Sequence, residues 1–533
     1  VGSLQANNIS YTEDDIYFSV SGASFNLKPD QHVAAVGLSN SGKDELASLL
    51  SRLTNPTSGT ISIGPEQLLE MPEAVTGRQF GYVGQNTYLF TGTIKDNLTY
   101  PLKHQPISVT AGTDAKQRET FKLLANQSGN SEHWVDDEWV DYTAIGINNE
   151  VEFKHRVHEV LEIVELEDEI YQFGLLSQID SSSHADLVQG IMQAREQLRD
   201  LLTQPEYARL TEQFDLEEYN SNLTVAENLL FGTIYDTSID GSRLSENAYI
   251  QQVLDETDLT HEFITAGRQI AETMLDLFSG VEPDSELFER FSFISATDLP
   301  DFQQLLLRSR GSPIESINAE DSSRLLSLPF KLVVARHRLG LIETSVQIKI
   351  LAARKRIRNE ASVHRLAIEF FDVAQYNQRI SIQDNILFGK LAYGQANAQA
   401  KLNELIANVI DKLELKTDIA QVGLDYEVGV GGARLSAAQR QKLGLARCLI
   451  KQPSLLIVNE ATAILDTGAE TRIIKRVRAR MQSGAIYWVL ARAQLAELFD
   501  TVMVMERGRL VANDPFAKLL QSSPQFQQLL EDQ

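Results

Sequence analysis

Three short stretches carry residues whose types and spacing suit phosphate chemistry. The first is Gly37-Leu38-Ser39-Asn40-Ser41-Gly42-Lys43-Asp44, which follows the apolar run Val33-Ala34-Ala35-Val36. Glycines in such a loop let backbone amides curl around phosphate oxygens, and the lysine at its end reaches the terminal ones. The second is Leu455-Leu456-Ile457-Val458-Asn459-Glu460, an aliphatic run closing on an amide and a carboxylate. That pattern fits a buried parallel strand presenting polar groups at its carboxyl end. The third, Leu435-Ser436-Ala437-Ala438-Gln439, opens an apolar helix through Cys448. A helix N-terminus led by serine is a ready anion site.

These stretches need a scaffold, and its elements can be read along the chain. Leu4 to Leu27 alternates apolar and polar residues around Gly22, as strands and hairpins do. The glycine loop leads into a helical pattern through Leu46, Leu49, Leu50 and Leu53. Phe80-Gly81-Tyr82-Val83-Gly84-Gln85 is a further short strand that ends on a glutamine. After Asp466 come a helix through Ile474 and Val477, the strand Ile486 to Leu490, and a closing hairpin from Phe499 through Leu510.

Taken in order, these segments resemble the nucleotide-binding domain of exporter-type ATP-binding-cassette (ABC) transporters. The glycine loop stands where the family has its Walker A loop, and Gln85 with Gly92-Thr93-Ile94-Lys95-Asp96-Asn97 where it has its Q-loop. Glu427-Val428-Gly429-Val430-Gly431-Gly432 resembles the X-loop, Leu435 to Gln439 the signature, Leu455 to Glu460 the Walker B strand and Asp466 the D-loop. The fold so implied is α/β, a P-loop NTPase core of ABC type. It has a mixed, mainly parallel sheet, N-terminal antiparallel strands and a mainly α-helical inserted module. The cofactors implied are ATP and Mg²⁺.

By the same resemblance Gly37, Ser39, Asn40, Ser41, Gly42, Lys43, Asp44 and Gln85 bind the nucleotide. Tyr11 or Tyr17 would stack on adenine, although Glu13 occupies the aligned position and both tyrosines also read as half-buried strand residues. Glu460 would orient the attacking water, and Arg492 would stand where the family has a γ-phosphate histidine. Ser436, Ala437, Ala438 and Gln439 would cover the ATP held by an opposite subunit. The implied partners are a second nucleotide-binding domain and a transmembrane domain, which places the chain at the cytoplasmic face of a membrane.

Four departures stand out. The signature LSGGQ is LSAAQ here, the Walker B aspartate is Asn459, the hydroxyl residue after the lysine is Asp44, and the histidine is Arg492. Mg²⁺ prefers hard oxygen ligands. Asp44, Gln85 and Asn459 are therefore the expected metal group, with the carboxylate moved from one side of the site to the other. Asn459 is expected to bond to Asp44 or to a metal-bound water. The alternative is a degenerate, non-hydrolysing cassette with a structural or regulatory role.

Composition narrows the classes. A formal charge of −25 argues against broad DNA or RNA binding, and so against a DNA-associated ABC ATPase. No apolar run is long enough to cross a bilayer, and no signal peptide is evident. With Val1 at its start, the chain is expected to be a portion of a longer protein. The single cysteine, Cys448, excludes a disulfide framework and reads as a core residue. His155, His158, His184 and His337 lack metal-ligand spacing.

The long interval before the signature contains echoes. Thr93 to Pro101 recurs as Thr224-Val225-Ala226-Glu227-Asn228-Leu229-Leu230-Phe231-Gly232 and as Ser381-Ile382-Gln383-Asp384-Asn385-Ile386-Leu387-Phe388-Gly389. Each copy is followed by a related amphipathic helix, carrying Val160-Leu161, Val253-Leu254 or Val409-Ile410. Three parts are therefore expected. Residues 1–101 form the first part of the ATPase core, 102–378 a helical insertion of duplicated segments, and 379–533 the end of the helical subdomain with the rest of the core.

Overall fold

The computed structural model describes residues 2–12, 18–109, 114–235, 241–278, 281–282, 293–309 and 313–531. Glu13 and Tyr17 lie outside the described residues. The chain forms two compact units, residues 1–172 with 423–533, and residues 173–422. Residues 102–172 thus belong with the first unit and 379–422 with the second.

The first unit is built on a six-stranded sheet in the order Arg509–Asp514, Thr501–Glu506, His32–Val36, Ala485–Val489, Leu455–Asn459, Phe80–Val83. Neighbours run parallel except at the Arg509–Asp514 edge. His32–Val36, Leu455–Asn459 and Ala485–Val489 are buried at every position, which is why they read as unbroken apolar runs. A four-stranded antiparallel sheet, Phe18–Leu27, Leu4–Thr12, Ser58–Ile63 and Glu66–Gln67, lies beside it in sequence. Ile9 and Val20 from that sheet, Leu46 and Leu49 from the Lys43–Leu50 helix, and Ile457 and Tyr487 from the main sheet share one core.

The parallel strands put their carboxyl ends at one edge. Val458 pairs with Val83, Asn459 with Val489, and Val489 with Ala35. The residues that follow these strands, namely Gly84-Gln85, Glu460 and Gly37, therefore leave the sheet on the same side.

The second unit shows what the sequence echoes build. Arg195, on the Ala185–Leu202 helix, donates to Asn385 O (2.7 Å), Asn385 Oδ1 (2.8 Å) and the carbonyls of Asp372, Val373 and Gln375. Arg354, on the Thr344–Glu360 helix, donates to Asn228 O (2.7 Å), Asn228 Oδ1 (2.9 Å) and the carbonyls of Asp215, Leu216 and Glu218. Each helix thus anchors the loop of the other copy.

The strands cross over in the same way. Thr211–Gln213 pairs with Gly389–Leu391, and Gly232–Ile234 with Ile368–Phe370. At the centre, Phe214 stacks on Phe371 at 4.5 Å, with Phe231 and Phe388 edge-on to them. Burial pushes both guanidinium groups down to about 10, so both keep their charge at neutral pH.

Candidate functional site

The loop after His32–Val36 owes its path to glycine at two positions. A Cβ on Gly42, whose φ is +94°, would lie 2.3 Å from Ser19 O, and one on Gly37 would lie 2.5 Å from Met505 O. Gly508 N donates to Ser41 O (2.9 Å), so the turn after Thr501–Glu506 braces the loop. Ser39 and Asn40 are exposed at its crest, while Ser41, Gly42 and Lys43 are buried.

Lys43 opens the helix and turns its amine toward the sheet edge, where it forms an ion pair with Glu460 Oε1 and lies 3.4 Å from Asp44 Oδ2. Gln85 Nε2 donates to the other Glu460 oxygen at 2.7 Å. Glu460 has left the strand with φ +49°, its amide bonded to Val489 O, and this turn directs the carboxylate back to Lys43. Lys43, Asp44, Gln85 and Glu460, which lie up to 417 residues apart, therefore form one cluster.

Three buried oxygens around this cluster, Ser41 Oγ, Asp44 Oδ1 and Asn459 Oδ1, make no hydrogen bond. Buried oxygens without partners are costly unless something fills the gap between them. Asp44, Gln85 and Asn459 line one cavity of about 520 Å³, together with Tyr82, Thr87 and Arg447. An Mg²⁺ ion fits such a set as one carboxylate, neutral oxygens and waters. Among the described residues no group of three His, Cys, Asp or Glu side chains could hold a metal without such neutral ligands. Asn459 makes no hydrogen bond to Asp44, so of the two roles expected for it only the water-mediated one is open.

Other expected residues lie elsewhere. Arg492 pairs with the buried Glu470 and donates to Ala463 O (3.1 Å) and Leu465 O (2.8 Å). Its guanidinium is thereby tied to the segment after Glu460. Tyr11 pairs with Val20 in the N-terminal sheet and packs its ring on the core, as a strand residue does. Asp466 caps the Thr467–Arg480 helix by accepting from Ala469 N (2.9 Å). Ser436 caps Ala437–Ile450 in a reciprocal capping box with Gln439. Among the described residues no hydrogen bond or ion pair joins Ser436, Ala437, Ala438 or Gln439 to the Lys43 cluster.

Three residues missed in the sequence hold the site together. Gln441 donates to Gln85 O and accepts from Thr87 Oγ1 (2.6 Å), tying the glutamine loop to the signature helix. Arg447, six residues on, donates to Tyr88 O (3.0 Å) and lies over the Phe90 ring. Glu470 accepts from Thr462 Oγ1 (2.7 Å), and burial raises its carboxyl above the usual range despite Arg492. A signal for Arg447 was present. Ala446-Arg447, Ala194-Arg195 and Ala353-Arg354 repeat one pair on three helices, each arginine bonding to carbonyls of a loop. The Glu427 segment also pairs locally, with Val428 N on Gly92 O (2.9 Å) and Ile94 N on Tyr426 O (3.1 Å).

The family model described as ABC transporter matches residues 20–210 and 339–463. The heterocyst differentiation ATP-binding protein HepA of Nostoc sp. is 29% identical over 167 residues, 30% of this chain and 27% of that protein. An ATP-dependent lipid A-core flippase of Pseudomonas putida is 33% identical over 158 residues, 30% of this chain and 26% of the flippase. The chain thus spans about a quarter of the length of these relatives. The structure of a bacterial Atm1-family ABC exporter with ATP bound aligns at a TM-score of 0.40 and 13% identity, covering 100% of this chain and 42% of the exporter chain. That score is too low to inform the fold. The family match, in contrast, takes in more than half of the chain and both segments of the Lys43–Glu460 cluster, and on it the chain belongs to the ABC transporter family.

Proposed function

We propose that the chain is the ATP-binding and ATP-hydrolysing portion of an exporter-type ABC transporter. In that role it acts at the cytoplasmic face of a membrane, paired with a second nucleotide-binding domain and a transmembrane domain. The observation that carries this reading is the convergence of Lys43, Asp44, Gln85 and Glu460 at the carboxyl edge of a parallel sheet. The relatives named above support it, being ATP-binding and flippase proteins by name. Among the described residues no helix is long and apolar enough to cross a membrane, so the reading requires a membrane part from elsewhere.

The chemistry follows from the side chains. Backbone amides of Gly37 to Lys43 receive the phosphates, and Lys43 exchanges Glu460 for the β and γ oxygens. Glu460, released from Lys43 but still held by Gln85, orients a water for attack on the γ-phosphorus and takes up its proton. Asp44 and Asn459, with Gln85, would hold Mg²⁺, which would offset phosphate charge. Arg492 works indirectly, fixing the 463–465 carbonyls behind Glu460. Ser436 to Gln439 serve the nucleotide of the partner domain.

We also propose that the helical subdomain has been enlarged by copying, with residues of about 102–378 as the added module. Asn97, Asn228 and Asn385, all fully buried, make the same bonds. Each accepts from the backbone N–H, and donates to the O, of a residue seven or eight positions earlier. The helices that follow all end on an acidic residue in the left-handed region, Glu165, Asp258 and Glu414.

Steady-state ATP turnover of the full transporter, compared with Glu460→Gln, tests the function. Loss of turnover in the variant supports hydrolysis. Equal rates would mean a non-hydrolysing cassette.

A further inference from the structure

A second cavity in the same unit, of about 600 Å³, has its own cationic lining. Arg78 comes from the last turn of the Glu73–Gln79 helix, Lys451 from the end of Ala437–Ile450, and His104 from the Lys103–Ser108 strand. That strand pairs with Glu138–Val140, and Asp141 N bonds to Leu102 O (3.1 Å), which brings Ile145 to the wall. Val75, Leu102 and Ile145 supply an apolar side. None of these residues takes part in the Lys43 cluster.

The charges here are short of partners. Arg78 makes no hydrogen bond or ion pair among the described residues. Lys451 donates to Gly77 O (2.7 Å) and Phe80 O, leaving one of its three N–H groups open. Asp141, the carboxylate whose charge acts on His104 and Arg78, has one oxygen, Oδ1, tied into its own turn. It accepts from Thr143 N (3.0 Å), Thr143 Oγ1 (2.6 Å) and Ala144 N (3.3 Å). His104 is held below its usual range by desolvation and by the charges of Arg78 and Lys451, which together outweigh the opposing pull of Asp141. In a chain of net charge −25 a cavity with this lining is an exception to its surroundings.

We infer that this cavity binds a small organic anion, its oxyanion head between Arg78, His104 and Lys451 and its apolar body against Val75, Leu102 and Ile145. Its volume lies within the roughly 300–1,000 Å³ usual for small-molecule sites. An arginine and a lysine converging from different elements suit a phosphate monoester or carboxylate head. The site is separate from the nucleotide site and does not depend on hydrolysis.

The test is calorimetric titration of the full chain with phenyl phosphate, which carries both head and body, with ADP saturating the Lys43 site. Inorganic phosphate and phenol serve as the head-only and body-only probes. Phenyl phosphate is expected to bind about tenfold tighter than either. The Arg78→Gln/His104→Gln double variant, both positions exposed, should weaken binding by about tenfold or more, while Lys43→Ala leaves it within about twofold. Binding should also raise the NMR titration midpoint of His104 in the unaltered protein. No saturable binding below about 10 mM would overturn the inference. So would binding lost in Lys43→Ala but kept in the double variant.

Discussion

In the structure the lysine proposed to hold phosphate is neutralised by the carboxylate proposed to activate water. Lys43 and Glu460 pair, and Gln85 fixes the second carboxylate oxygen. On the proposed function, nucleotide has to displace Glu460 from Lys43 before either residue can act. Replacing Glu460 with Gln removes that competition, so ATP affinity should rise about threefold to tenfold while turnover falls at least about a hundredfold. Equilibrium binding and phosphate release measured on one preparation check both halves.

Asp44 and Asn459 supply a second prediction at this scale. Each leaves a buried oxygen without a partner in the same cavity, and between them they carry one carboxylate. Asp44→Ser should reduce Mg²⁺-dependent ATP affinity about tenfold, and adding Asn459→Asp should restore most of it. Binding titrations with Mg²⁺ and with EDTA separate this coupling from a simple loss of charge. If Asp44→Ser improved binding equally in both conditions, the compensation would be refuted. The sequence made Lys43, Asp44, Gln85 and Glu460 legible because each ends or follows an apolar run. It gave no hint that Arg492 would be taken by Glu470, since a buried carboxylate eight residues beyond Thr462 reads as ordinary helix surface.

At the scale of elements, two helices are pinned by single buried arginines. Arg195 and Arg354 each satisfy backbone carbonyls that no other described side chain reaches. Arg354→Met keeps most of the volume but leaves those carbonyls unpaired in the interior. The expected loss is about 3 kcal/mol or more, measured by urea unfolding, with a similar loss for Arg195→Met. A difference between the two well above 1 kcal/mol would mean that the copies are not energetic equivalents. The strands of the first unit's main sheet were readable from composition, because burial on both faces leaves mostly apolar residues. The exchange between copies was not, since a repeat announces likeness in sequence but not which copy it bonds to. Pairing here is decided by the Phe214, Phe231, Phe371 and Phe388 cluster, whose members are spread over the whole unit.

For the whole molecule, the signature residues Ser436 to Gln439 make no hydrogen bond or ion pair to the Lys43 cluster among the described residues, and on the proposed function they face the nucleotide of a second domain. Glu460→Gln with Mg-ATP should therefore sediment as a dimer, and adding Ser436→Glu should return it to monomer by setting a carboxylate against the partner's phosphates. A monomer under all conditions would remove the paired arrangement. The net charge of −25 predicts in addition no retention on immobilised DNA at about 50 mM salt.

The crossed arginines carry a consequence for heredity. A deletion that removed one copy would strip the other of its anchor and expose half of a phenylalanine cluster, so neither can be discarded first. Genes of this type are expected to hold the pair or lack it altogether, and lengths in between should be rare.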